Sequence, residues 1–142
     1  MRLFLDANVL FSAAYSPAGR ARALFHLAQR GRCKLSASTH VIDEALRNLR
    51  TKAPARLPKL DELLSIVEQV PAARPDLVAW AAAKGLPDND APVLATAVSS
   101  SAEILVTGDR THFGHLYGQS AGGTVVASLT DALERVLTEH GL

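Results

Sequence analysis

Short, unbroken apolar runs alternate with longer stretches of helical period along this chain, and the alternation sets the expected fold. Residues 2–5, 34–37, 104–107 and 124–127 read as buried strands, with a further one at 67–70. Residues 8–15 and 19–30 are helical in pattern, separated by a Ser16-Pro17 break. Ser38 or Thr39 is placed to cap a helix running to about Arg50, with Val41, Ile42, Ala45, Leu46 and Leu49 on one face. Pro54 and Pro58 punctuate a loop, and residues 60–66 are helical. Pro75 opens a helix that Gly85 closes, and residues 90–100 and 129–140 form two more. Strands that are apolar throughout and separated by helices imply a parallel sheet covered on both faces. No repeat or low-complexity tract divides residues 1–142, so a single domain is expected.

Composition narrows the class. A chain of 142 residues buries enough surface to hold together without staples. Cys33 is the only cysteine, which excludes an internal disulfide and a multi-thiolate zinc site. No apolar run approaches the ~20 residues of a membrane helix. The opening MRLFLDANVLF carries Asp6 too early for a signal peptide, so a soluble, cytoplasmic protein is expected. The net charge of +1 implies no partner by itself. Its distribution says more, because residues 20–59 hold ten basic side chains against two acidic ones. That segment fits a phosphate-attracting surface and fits solvated helix faces equally well.

Three aspartates stand where chemistry collects in such sheets, beyond the carboxyl ends of strands. Asp6 follows the first strand, Asp109 follows residues 104–107 and Gly108, and Asp90 opens a helix. Helix capping or a turn accounts for each of them taken singly. Asp90, however, falls in the same helical stripe as Val93, Leu94, Ala97 and Val98, whereas Asp88 falls opposite. A carboxylate aimed at buried space requires a partner, such as a metal ion or an amide. Glu44 and Asp43 flank the apolar stripe of residues 39–50 about equally, and periodicity does not choose between them.

With these residues in place the sequence resembles the PIN-domain family. Asp6-Ala7-Asn8-Val9-Leu10 after a first strand looks like the opening motif of that family. Thr39-His40-Val41-Ile42-Asp43-Glu44-Ala45-Leu46 resembles its glutamate-bearing helix. Asp88-Asn89-Asp90-Ala91-Pro92-Val93-Leu94-Ala95-Thr96-Ala97 and Ile104-Leu105-Val106-Thr107-Gly108-Asp109 resemble its third and fourth acidic motifs. Within the family the likeness is to VapC-like toxins of bacterial and archaeal toxin–antitoxin pairs. The resemblance implies a three-layer α/β/α fold whose parallel sheet of about five strands has the order 3-2-1-4-5. It also implies an endoribonuclease using Mg2+ or Mn2+, held by Asp6, Glu44, Asp90 and Asp109, with Asp88 able to share the third position. RNA as substrate, a cognate antitoxin and a homodimer are implied partners, and no membrane is.

The chemistry suits such a set. A phosphodiester is negatively charged, so a nucleophile approaching it benefits from one or two divalent ions, and hard oxygen ligands suit magnesium. Carboxylates crowded without a cation push at least one pKa upward. Asp6 and Asp90 are assigned as direct ligands, Glu44 and Asp109 as ligands of a second ion or of its waters, and Asn8 and Thr107 as groups that orient the acids. Of the five histidines, His112 and His115 are three apart, a weak zinc pair. Trp80 reads as packing, Gly122-Gly123 as a turn, and Phe113 and Tyr117 as residues near enough to Asp109 to touch a base. Two other functions fit less well. Phosphoryl transfer through Asp6 lacks the second acid two residues on. A catalytically silent nucleic-acid-binding domain of the same fold sits awkwardly with four filled acidic places.

Overall fold

The computed structural model describes residues 1–139, and His140, expected to end the last helix, lies outside the described residues. The chain opens with strand β1 (Arg2–Leu5), which Asp6 ends by starting helix α1 (Ala7–Tyr15). Helix α2 (Arg20–Gln29), strand β2 (Lys34–Ala37) and helix α3 (Thr39–Lys52) follow. Ser38 caps α3, its hydroxyl accepting from the Val41 amide. A 3-10 turn (Pro54–Arg56) leads into α4 (Leu57–Leu64) and β3 (Val67–Gln69). Helix α4 therefore starts earlier than the two prolines suggested. Pro58 sits in its first turn, where a missing N–H costs no hydrogen bond.

The second half holds α5 (Pro75–Ala82), α6 (Ala91–Ser99), β4 (Ile104–Val106), the short α7 (Arg110–Phe113), β5 (Ser120–Ala121), β6 (Thr124–Ala127) and α8 (Leu129–Glu139). The sheet runs β3-β2-β1-β4-β6-β5. All neighbours pair in parallel except β5 and β6, which are antiparallel. This matches the expected order, with β6 in the fifth place and one short edge strand added. The addition comes from Gly122 and Gly123, which have φ of 58° and 88° and close a two-residue hairpin between Ala121 and Thr124. Both central residues of such a tight turn need positive φ, which glycine supplies without strain.

Helices cover the sheet in two packed groups, α5 with α6, and α1 with α2, α3 and α4, α8 joining α2. The central strands are fully apolar, and Leu3, Phe4, Leu5, Ile104, Leu105 and Val106 are all buried. Trp80 packs as expected, its ring close under the β5–β6 hairpin. Among the described residues no helix is long and apolar enough to cross a membrane.

Candidate active site

The parallel pairing of β1 with β4 puts Leu5 opposite Val106, so the residues that follow them, Asp6 and Thr107, emerge side by side. Backbone bonds lock this edge, the Asp6 amide donating to Val106 O at 3.0 Å and the Thr107 amide to Ala127 O at 3.1 Å. The Asp6 carboxylate is 3% exposed. Its Oδ1 accepts from the Ala7 amide at 2.8 Å, and its Oδ2 accepts from the Thr107 hydroxyl at 2.8 Å and the Asn8 side-chain amide at 3.2 Å. Asn8 in turn accepts from the Gly108 amide at 2.7 Å, and the Thr107 oxygen accepts from the Asp109 amide at 3.1 Å. The two side chains expected to orient the acids therefore do contact Asp6.

Asp109 starts α7, with Oδ1 accepting from the His112 amide at 3.1 Å. Asp90 precedes α6 but makes no side-chain capping bond, which leaves its carboxylate free to project from the turn. Its side chain is 15% exposed, while Asp88 lies open to solvent. Between the two acids stands His112, with Nδ1 2.8 Å from Asp109 Oδ2 and 3.0 Å from Asp90 Oδ2. Ligand atoms of Asp90, Asp109 and His112 all lie within 4.8 Å of one another. Glu44 and Asp6 stand outside this tight trio. Glu44 reaches in from α3, half-buried, and accepts from the Asn89 side-chain amide at 2.8 Å, while His40 Nε2 meets Asn89 O at 3.0 Å. Asp43 on the same helix is exposed.

The electrostatics tie the four acids together. Burial pushes the Asp6 carboxyl from an ordinary 3.8 up to about 6. Hydrogen bonds from Thr107 and Ala7 hold it lower than burial alone would, and Glu44 and Asp90 push it further up. Burial also raises the Asp90 carboxyl, aided by Asp109 and Glu44 and opposed by His112 and His40. An acid buried beside other acids is relieved by a cation. Oxygen donors with one imidazole suit a divalent ion such as Mg2+ or Mn2+, so the donor set fits one.

The sequence reading missed His112. The structure turns His115 away to the Lys84 carbonyl, 2.7 Å from its Nε2, so the weak histidine pair of the sequence does not form either. The usable signal was the three-residue step from Asp109 to His112 across the start of a helix, which places the two on one face. Asp6 is also ill-suited to attack a phosphoryl donor, because both its oxygens are engaged and the side chain is buried.

Residues 2–111 match a family model described as PIN domain. No curated protein matches the chain. Among solved structures, PAE2754 from Pyrobaculum aerophilum is 25% identical, with 97% of this chain and 90% of that one covered and a TM-score of 0.70. VapBC from Salmonella typhimurium, bound to DNA, is 16% identical with a TM-score of 0.67, covering 91% of this chain and 98% of that chain. VapBC2 from Rickettsia felis, bound to a promoter DNA fragment, is 18% identical with a TM-score of 0.64, covering 90% and 98% respectively.

Proposed function

The chain belongs to the PIN-domain family, whose members are generally nucleases, and on that premise we propose that it is a divalent-metal-dependent endoribonuclease acting as the toxin of a toxin–antitoxin pair. The observation that carries this reading is the acid edge itself. Four carboxylates from four separate segments act on one another there, and the most buried of them, Asp6, is pushed up to about 6 with Glu44 and Asp90 as its charged neighbours.

In this reading Asp6, Glu44, Asp90 and Asp109 hold Mg2+ or Mn2+, with His112 as a further donor to the Asp90 and Asp109 side. The ion, when bound, supplies positive charge to phosphate oxygens and lowers the pKa of water. Thr107 and Asn8 fix the Asp6 carboxylate through their hydrogen bonds, so that it does not have to reorganise on binding. Asn89 does the same for Glu44. The likeness to the VapBC structures supports a cognate antitoxin as partner, and the family resemblance supports a homodimer; co-purification with the product of a neighbouring reading frame and light scattering test these two.

The direct test is incubation of a mixed RNA panel with magnesium, manganese or chelator. Wild type should cut in either metal and not in chelator, and Asp6→Asn and Asp90→Asn should not cut. Undiminished cleavage by Asp6→Asn would remove the assignment. Metal-dependent RNA binding with no cleavage of any panel member would instead favour the silent nucleic-acid-binding alternative.

A further inference from the structure

An acidic pocket repels the strand it is to cut, so an RNA-cleaving site needs cationic surface beside it. The structure supplies such a surface in a cleft of about 580 Å³ lined in part by Gly108, whose amide holds Asn8. Its walls include Ser12 from α1, Arg20 from α2, Gly108, Arg110 and Tyr117 beyond β4, and Ser128 before α8. No carboxylate lines it. Among the described residues neither Arg20 nor Arg110 lies within 4.0 Å of a carboxylate, and both are exposed. The volume is within the range of small-molecule sites, roughly 300–1,000 Å³, and suits one nucleotide.

The cleft is also wired to the acids. Tyr117 donates its hydroxyl to the Thr107 carbonyl at 2.7 Å, and the Thr107 hydroxyl donates to Asp6 at 2.8 Å. The Gly108 amide holds Asn8, which holds Asp6. Arg110 directly follows Asp109. The cleft therefore shares Gly108 and Tyr117 with the network that holds Asp6.

Building on the nuclease reading, we propose that this cleft seats the nucleotide adjoining the cleaved phosphodiester, with Arg20 and Arg110 on its backbone phosphate and the partly exposed face of Tyr117 against its base or sugar. The hydroxyls of Ser12 and Ser128 add neutral donors suited to phosphate or ribose oxygens. Because arginine contacts with phosphate carry no sequence information, the cleft contributes position and affinity, whatever the sequence of the strand.

The probe is a fluorescein-labelled single-stranded RNA of twelve nucleotides, followed by anisotropy in chelator, where cleavage does not compete. Arg20→Ala and Arg110→Ala should each weaken binding about tenfold and lower the slope of log K against log salt by roughly 0.7. Arg20→Lys and Arg110→Lys should restore the slope. Arg30→Ala, an exposed arginine at the other end of α2, about 15 Å away, should leave it unchanged. In magnesium, the two alanine variants should raise KM about tenfold with kcat held within about threefold. Wild-type binding and slope in both alanine variants would overturn the proposal, as would an equal loss in Arg30→Ala. The two readings fail separately. Inactive Asp6→Asn with undisturbed arginine variants keeps the nuclease and removes the cleft. Arginine-dependent binding by a wild type that cuts nothing removes the nuclease and keeps the cleft as an RNA site.

Discussion

The Thr107 hydroxyl donates to Asp6 Oδ2 at 2.8 Å across 101 residues of sequence. Thr107 is completely buried and also receives the Asp109 amide, so one oxygen serves two of the acids. Thr107→Val should destabilise the fold by about 1–3 kcal/mol, since it strands buried polar groups. It should also lower cleavage by roughly 10–100-fold, because the orientation of Asp6 is lost. Thr107→Ser should recover most of both. Urea unfolding and single-turnover cleavage measure them, and a Val variant as active as wild type would show that Asp6 needs no such support.

The raised Asp6 carboxyl has a signed consequence for stability. Its folded value of about 6 exceeds the ordinary 3.8, so the folded protein binds this proton more tightly than the unfolded chain does. The contribution of Asp6 to stability is therefore fully present below 3.8, falls as pH rises through 6, and is lost above that. The loss is of order 3 kcal/mol at most, in the absence of metal. Asp6→Asn removes the charge and should be more stable than wild type by about 1–3 kcal/mol at pH 7.5 in chelator, with the gap closing near pH 4. Unfolding curves at both pH values decide it.

His112 bridges Asp90 and Asp109, and its imidazole gives the site a nitrogen donor. Manganese accepts nitrogen more readily than magnesium does. His112→Ala should therefore weaken Mn2+ affinity roughly tenfold and Mg2+ affinity less, as read by calorimetry. Wild type should also gain thermal stability with rising metal concentration. Equal losses for both ions would show that His112 is no donor.

Gly122 tests the edge hairpin. A Cβ there would lie 2.9 Å from Val98 Cγ1 and 3.1 Å from the Trp80 ring, at a φ of 58°. Gly122→Ala should cost about 2–3 kcal/mol, part from the left-handed backbone and part from overpacking. Gly123→Ala, with nothing within 4 Å of its Cβ, should cost only the backbone part. Urea midpoints for the two variants separate the contributions.

The central strands and the acids that follow them were legible because an apolar run ending in aspartate carries both signals at once. The inward aim of Asp90 was legible from helical period, and the structure leaves its side chain 15% exposed while Asp88 is open. Periodicity could not separate Glu44 from Asp43, and only the motif resemblance chose Glu44, because the difference in the fold is the Asn89 amide, brought from 45 residues away. The β5–β6 hairpin was half legible, since the glycine pair marked the turn but two residues are too few to show an alternation. Arg20 was legible only as one of the ten basic residues of 20–59, and nothing paired it with Arg110, because a cleft between four segments has no period along the chain.

The register that sets β1 beside β4 has a last consequence for synthesis. Asp6 leaves the ribosome 101 residues ahead of Thr107, yet Thr107 and Asp109 must be made and released before it can be buried and oriented. Until then the first strand lacks a neighbour on that side, and a nascent or truncated chain ending before β4 carries half a centre. Under the proposed nuclease reading, copies that stop before β4 cannot assemble the acid edge and so cannot cut.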